Sequence, residues 1–348
     1  MSNQYYYVTG NTAEGFINHL DSNIESMKQI IVLKHPSNTL KTTVITQLIK
    51  KYEADFDLEI LHSTLGNKFL DGVIIRELSL AIIVDQLSLS EIPGAIDIDL
   101  NLFLNDELLP DDLLGINNQY QSHTQAAYDN FSTGLKIHDD LEEIYIGEMD
   151  FDKADQLAKS FITNLLKDAP KSNESTHTYH RLFGTNTQDG VVNVVPHLIE
   201  NLSNVYFIKG RAGTGKSTFM KKIAKACEEH GFDIEMYHCS FDPNSIDMVL
   251  VRALDFCIFD STDPHEFFPA REGESIVDLY EEAVTAGTDE KFENEINKLN
   301  NPYKFYMKKG IQDLNNAGEY LELHEQQYTF TENELQDIIN FVTGKIIQ

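Results

Sequence analysis

An internal repeat constrains this chain more than any other feature. At an offset of 175 residues, "NTAEGFIN" (11–18) lies over "NTQDGVVN" (186–193), and "LKHPSNTLKTT" (33–43) lies over "IKGRAGTGKST" (208–218). At an offset of 176, "FDLEILH" (56–62) meets "FDIEMYH" (232–238), and "FLDGVIIRELSLAI" (69–82) meets "SIDMVLVRALDFCI" (245–258). Asp71 then stands over Asp247, Arg76 over Arg252 and Leu78 over Leu254; one further single-residue step brings Asp85 opposite Asp260. Collinear blocks at nearly constant spacing mean two copies of one unit of about 175 residues, and 348 residues suffice for two ordinary domains. The joint falls in "LKDAPKSNESTHTYH" (166–180), which has no hydrophobic period. A boundary near Asn173 gives units at 1–172 and 173–348.

Within each unit, apolar runs alternate with helical patterns. In the second, "NVYFIKG" reads as a buried strand and "KSTFMKKIAKACEEHG" as a helix stopped by Gly231. "DIEMYHCS" is a second strand, 245–255 an ambiguous apolar element, and "DFCIFD" a third strand ending at Asp260. Residues 289–328 have helical character that Pro302 is expected to break. "FTENELQDIINFVTGKII" reads as an amphipathic helix whose N-cap Thr331 and Glu334 form a capping box; its counterpart in the first unit starts at Asp152. The expected fold class is α/β: two tandem units, each a mainly parallel sheet flanked by helices and followed by a helical appendage.

Gly210, Arg211, Ala212, Gly213, Thr214, Gly215, Lys216 and Ser217 satisfy G-x-x-x-x-G-K-[ST] between a strand and a helix, with Thr218 following. The glycines let the backbone curl so that its N–H groups face phosphate oxygens, and the helix start adds its dipole. In this role Lys216 bridges the β- and γ-phosphates and the Ser217 hydroxyl ligates Mg2+. Asp260, at a strand end, is the expected acid for that ion; the bland alternative is a residue capping the next turn, and Asp255 is a weaker rival. In "STDPHEFFPAREG" (261–273), His265, Glu266 and Arg271 are candidates for a base, an arginine clamp or a substrate-gripping loop, against a packed loop with solvated charges. The candidate catalytic residues are thus Lys216, Asp260, Glu266 and His265, and the candidate metal ligands Ser217 and Asp260.

The first unit departs from this pattern. His35, Asn38 and Leu40 stand where the second has Gly210, Gly213 and Gly215. His and Leu adopt positive φ poorly, and their side chains crowd the phosphate path. A decayed nucleotide site on an intact fold is expected there, with Lys41 and Thr42 meeting an anion only if the backbone adapts. His238, Cys239, His62 and Cys257 lack zinc-site spacing and read as packed strand-end residues. Arg252 and its counterpart Arg76 have two readings, a charge-sensing arginine across the unit interface and a structural salt bridge.

The formal charge of −29, pI near 4.6 and only five arginines argue against a nucleic-acid partner and against an anionic membrane surface. Three cysteines without framework spacing suit a reducing compartment. The N-terminus lacks the pattern of a signal peptide and no apolar run approaches membrane length, so a cytoplasmic location is expected.

From "GRAGTGKSTFMKKIAKACEEHGFDIEMYHCS" through "LYE" (210–281), the sequence resembles a family of uncharacterised bacterial ATPase-like proteins with two P-loop units in tandem. The likeness extends more weakly over "GNTAEGF", "HSTLGNKFLDGVII" and "PGAIDIDL" in the first half. The resemblance implies tandem P-loop NTPase units using ATP with Mg2+ and leaves the substrate open. The chain departs from the family at its first loop, after Asp85, where "QLSLSEIPG" has no histidine, and mildly at Ala212, where proline is common. Three readings follow. The first is ATP hydrolysis by the second unit, with the first regulatory or structural. The second is a small-molecule or nucleotide kinase with an unidentified acceptor at 261–273, which the scarcity of arginine disfavours. The third is a nucleotide-dependent binding or scaffold protein, with an unidentified protein partner and no turnover. Oligomeric state is left open.

Overall fold

The computed structural model describes residues 3–88, 92–105, 113–171 and 175–347; the joint expected near Asn173 lies outside the described residues. The first half contains strands β1 (Gln4–Tyr7), β2 (Thr9–Thr12) and β3 (Gly15–Asn18), then helix α1 (Leu20–Ile24). It continues with β4 (Gln29–Lys34), α2 (Asn38–Tyr52), β5 (Glu59–His62), β6 (Leu70–Ile75), β7 (Leu80–Val84) and β8 (Ile96–Asp99). A long helix α3 (Leu113–Ile146) and α4 (Phe151–Leu166) complete it. The second half repeats the series with β9 (Thr178–Arg181), β10 (Gly184–Thr187), β11 (Gly190–Asn193) and α5 (Val195–Ile199). There follow β12 (Asn204–Lys209), α6 (Lys216–His230), β13 (Ile234–His238), β14 (Ile246–Val251), β15 (Phe256–Asp260) and β16 (Glu274–Asp278). It ends with α7 (Leu279–Ala283), α8 (Thr288–Lys291), α9 (Glu293–Glu325) and α10 (Glu332–Lys345).

The two six-stranded sheets have one topology: β1-β5-β6-β7-β4-β8 in the first half and β9-β13-β14-β15-β12-β16 in the second. Each is mixed. The ambiguous apolar element is a strand, β14, that runs antiparallel to both neighbours, as does β6; the other strands share one direction. The inner strands "QIIVLK" and "LAIIV" are near-continuous apolar runs because they are buried on both faces. Even a backbone irregularity repeats: Ser79 and Asp255, 176 residues apart, both adopt φ of 50° at the turn between adjacent antiparallel strands.

The halves meet about a pseudo-twofold axis, where residues contact their own repeat equivalents. Tyr7 and Leu182 exchange backbone hydrogen bonds of 3.0 and 2.8 Å, and each of the Asn11 and Asn186 side-chain amides donates to the other's carbonyl, at 2.8 and 2.9 Å. Such self-complementary contact marks a twofold interface. Beside it lies a buried charge cluster. Arg181, 2% exposed, donates to Glu59 of one half at 3.0 Å and Glu235 of the other at 2.9 Å, while Arg76 and Arg252 pair with those same carboxylates from their own halves. The Arg76/Arg252 pair is therefore a structural salt bridge. Burial works to raise the Glu59 pKa, but the Arg181 and Arg76 guanidiniums outweigh it and hold it at about 2.

The helical arms are exchanged. Helices α3 and α9 pack antiparallel, with His123 on the Tyr320 ring, Asn130 donating to Asp313 at 2.8 Å and His138 against Tyr303. Each then continues onto the opposite sheet. Helix α4 lies on α6 and α7 of the second half, burying Ala158 beside Phe219 and Ile223. Helix α10 lies on α2 of the first, burying Leu335, Ile338 and Val342, and Gln29 of β4 binds the backbone of Lys345 and Ile347. The expected break at Pro302 does not occur: α9 runs through it. One missing N–H there is offset by the aromatic packing of Tyr303 against His138 and Phe241. The capping box at Thr331 and Glu334 is present.

Two outcomes follow. Removing Arg181 takes from two buried carboxylates the arginine they share and leaves each with only the one from its own half, so Arg181→Ala is expected to cost about 3–5 kcal/mol in urea unfolding. Because the folded Glu59 pKa lies below its unfolded value, the cluster's contribution is complete above about pH 4.5 and is lost as the pH falls toward 2. The wild type should lose stability steeply over that range and the variant less so. Truncation before Thr331 should lower hydrogen-exchange protection in β4 and α2 of the first half more than in β12 of the second; the reverse order would refute the exchange.

Candidate functional site

The loop 210–217 leaves the C-terminal end of β12, beside the parallel strands β15 and β16. Gly213 and Gly215 have φ of 72° and 77°, conformations that side chains disfavour, and a Cβ on Gly213 would lie 2.4 Å from the Glu142 carbonyl. The end of the exchanged helix α3 thus roofs the loop. Thr214 is buried with its hydroxyl donating to Arg211 O at 2.9 Å; Ala212 is half-buried and Thr218 exposed. The Arg211 guanidinium is held by Asp289 at 2.9 Å, so what it presents to the loop is backbone. Helix α6 starts at Lys216, and the amides of Lys216, Ser217 and Thr218 find no acceptor among the described residues. The Ser217 hydroxyl accepts the Ile246 N–H at 2.9 Å.

Lys216 Nζ donates to Arg211 O at 2.8 Å and stands 3.6 Å from Asp260. A third group, not singled out from the sequence, joins them. Asp247 is half-buried; burial and then the Asp260 charge raise its pKa to about 7, against the opposing pull of Cys239 and Lys216. The repeat carried the signal for it, since Asp71 stands over Asp247 and Asp85 over Asp260. Two carboxylates and a lysine converge in both halves.

Segment 261–273 is held rather than poised. Lys209 Nζ binds Ser261 O at 2.5 Å, Phe267 O at 3.1 Å and Glu266 at 3.2 Å. His265 is 8% exposed, edge-on to Phe183, and its Nδ1 has no hydrogen-bond partner; burial lowers its pKa and keeps it neutral. Arg271 reaches the Glu200 and Ile199 carbonyls and Glu274, well away from a clamping role. His238 stacks on His19 and shares a hydrogen bond with His180, and no group of three or more His, Cys, Asp or Glu among the described residues is arranged to hold a metal by itself.

The first-half counterpart is built differently. Helix α2 starts at Asn38, the equivalent of Gly213, so the loop is replaced by an extra helical turn capped by the Ser37 hydroxyl. Its free amides are met by a carboxylate from the exchanged helix α9. Glu325 accepts from the backbone of Asn38 and Thr39, both at 2.9 Å, and from the Ser37 hydroxyl at 2.8 Å. Burial opposes the charge, yet His324 and these donors hold the Glu325 pKa at about 2. Lys41 is 1% exposed and bonded to Asp85 at 2.6 Å, and the Thr42 hydroxyl accepts from Leu70, as Ser217 does from Ile246. No outside anion is needed there.

Glu325→Ala is expected to lower stability by about 1–3 kcal/mol at pH 7, measured by urea unfolding, because it strips the cap from two amides and a buried hydroxyl. The loss should shrink as the pH falls from 4.5 toward 2, where the wild-type carboxylate itself takes up a proton.

Among the described residues no helix is long and apolar enough to cross a membrane. Comparison of the chain with protein-family models, with curated proteins and with solved structures gave no match, so its architecture of two α/β halves with exchanged arms rests on its own geometry.

Proposed function

We propose that the second half binds the phosphates of a nucleoside triphosphate with Mg2+ at residues 210–218 and hydrolyses it, while the first half is regulatory or structural. One contrast carries this reading. At the same point of the repeat, the protein's own Glu325 carboxylate neutralises one helix start, whereas the other has glycines, Lys216 and free amides awaiting an anion from outside. Helix starts of this build are ready anion sites. The tandem P-loop reading and the choice of ATP come from the sequence resemblance.

The donor set suits a hard cation. Asp260, Asp247 and the Ser217 hydroxyl would hold Mg2+, with phosphate and water oxygens completing its shell. Bound there, the ion would supply charge neutralisation along the phosphates. Burial and then the Asp260 charge raise the Asp247 pKa, and a divalent cation would offset both. Lys216 would exchange the Arg211 carbonyl for phosphate oxygens.

A second reading, nucleotide-dependent binding without turnover, is favoured by one observation. Glu266 is committed to Lys209 and His265 is buried, so neither is free to act as a base. Nothing among the described residues beside the loop favours a kinase acceptor site.

The test is ATP binding and phosphate release by the wild type beside Lys216→Ala and Lys41→Ala, with folding checked by circular dichroism. Lys216→Ala should weaken both by about 100-fold or more, and folded Lys41→Ala should leave binding unchanged. Binding without phosphate release would leave the second reading, and absence of binding would sink both. Because Mg2+ needs Asp247 ionised, Mg·ATP affinity should climb from pH 6 to 8, and Asp247→Asn should flatten that profile.

A further inference from the structure

The described residues line a cavity of about 320 Å³ between the first sheet and the exchanged helix pair, away from the loop discussed above. Its floor is the C-terminal end of the first sheet, with Ser63, Thr64, Asp71 and Gln86; its roof is the exchanged helix pair, through Tyr120, Thr124 and Tyr128 of α3 and Leu314, Ala317 and Leu321 of α9. The repeat makes its presence informative. The second-half equivalent of Leu65, a lining residue, is Phe241, and that ring packs against Phe131, Tyr303 and His138. One half has an open anion loop and a packed aromatic ring at this position; the other has a filled anion site and an open cavity.

The lining defines a ligand class. It contains no Lys, Arg or His, so a phosphorylated or carboxylated molecule has no counter-charge there. Its single ionisable carboxyl is Asp71, 5% exposed, accepting from the Thr9 hydroxyl at 3.0 Å. Burial raises the Asp71 pKa to about 6, against the pull of Ser63, Thr9 and Lys41, so a donor from a ligand would relieve it. The lining also holds Gln86, Gln188 and Asn11, whose amide already donates to the Thr64 and Asn186 carbonyls, while Phe16, Tyr120 and Tyr128 supply aromatic walls. Tyr128 already donates to Asn11 at 2.8 Å, which orients that amide. A volume near 300 Å³ with apolar walls and a few convergent polar groups is the make-up of a small-molecule site. Aromatic walls, glutamine side chains and one acceptor carboxylate suit an uncharged, amino-bearing planar heterocycle.

We propose that this cavity binds an unphosphorylated nucleobase or nucleoside, its ring against Tyr120, Tyr128 and Phe16 and its amino group on Asp71. The site is separate from the phosphate loop and does not rest on nucleotide hydrolysis there.

The experiment uses the full chain and four probes, adenine, adenosine, guanosine and cytidine, with AMP and ADP as phosphorylated controls, read by calorimetry and ligand-observed NMR. At least one uncharged probe should bind at one site with Kd on the order of 100 µM. Lys216→Ala should leave that affinity unchanged. Thr124→Phe, which fills the cavity, and Asp71→Asn, which keeps its size, should each weaken it by about tenfold or more in folded protein. Failure of every uncharged probe overturns the proposal. So does binding that Lys216→Ala removes, or binding that both Thr124→Phe and Asp71→Asn leave intact.

Discussion

Arg181 binds a carboxylate from each half of the molecule, and the arrangement of everything else depends on that junction. Its repeat equivalent is Tyr6, and the two stack, with the guanidinium 3.8 Å from the ring centroid. The asymmetry is what makes the junction work. Two arginines at the axis would repel, and two tyrosines would leave Glu59 and Glu235 with less positive charge than their burial demands. Buried ion clusters are weak sources of net stability, and in some systems they fix which surfaces pair. Here the cluster joins one half to the other, non-identical half through a single arginine. The hydrophobic core agrees, since a single cluster runs from Ile31 and Val44 of the first half to Phe207 and Phe259 of the second.

With the sheets fixed about that axis, the antiparallel pair α3 and α9 carries each chain segment to the far side. The consequence reaches the chemistry. The end of α3 roofs the glycine loop of the other half, and the end of α9 delivers Glu325 to the helix start that has His35, Asn38 and Leu40 at the matching positions. Once a carboxylate from a neighbouring element satisfies those amides, nothing selects for a curled backbone. The same residues then wind into an additional helical turn, with Ser37 as cap.

Much of this was legible in the repeat. Matching blocks implied matching sheets, and the identical strand orders follow from them; Gly231, the Thr331 capping box and the strand ending at Asp260 stand as expected. Other features were not. A strand buried on both faces has no alternation that reveals its direction, so the antiparallel β14 read as ambiguous. An amphipathic helix records that it covers an apolar surface but not which of two similar sheets it covers, which hid the exchange of α4 and α10. Pro302 argues locally for a break that packing overrides. Glu325 lies nearly 290 residues from the loop it caps, in a glutamate-rich helix where no local pattern distinguishes it. Asp247 was visible only as half of a repeated pair.

The two halves show how a duplicated unit divides its chemistry. Both keep the lysine and the two aspartates at the ends of the central strands, because removing any one leaves the others buried with unbalanced charge. That trio is therefore retained whether or not a ligand is bound beside it, and its presence alone does not identify a working site. What distinguishes the halves is the competition for the helix-start amides and for the space under the long helices. In the first half a protein carboxylate wins the amides and the space stays open. In the second, the amides are left unmet and Phe241 takes the space. Of the two equivalent helix starts, the second is the one whose first amides the described residues leave without an acceptor.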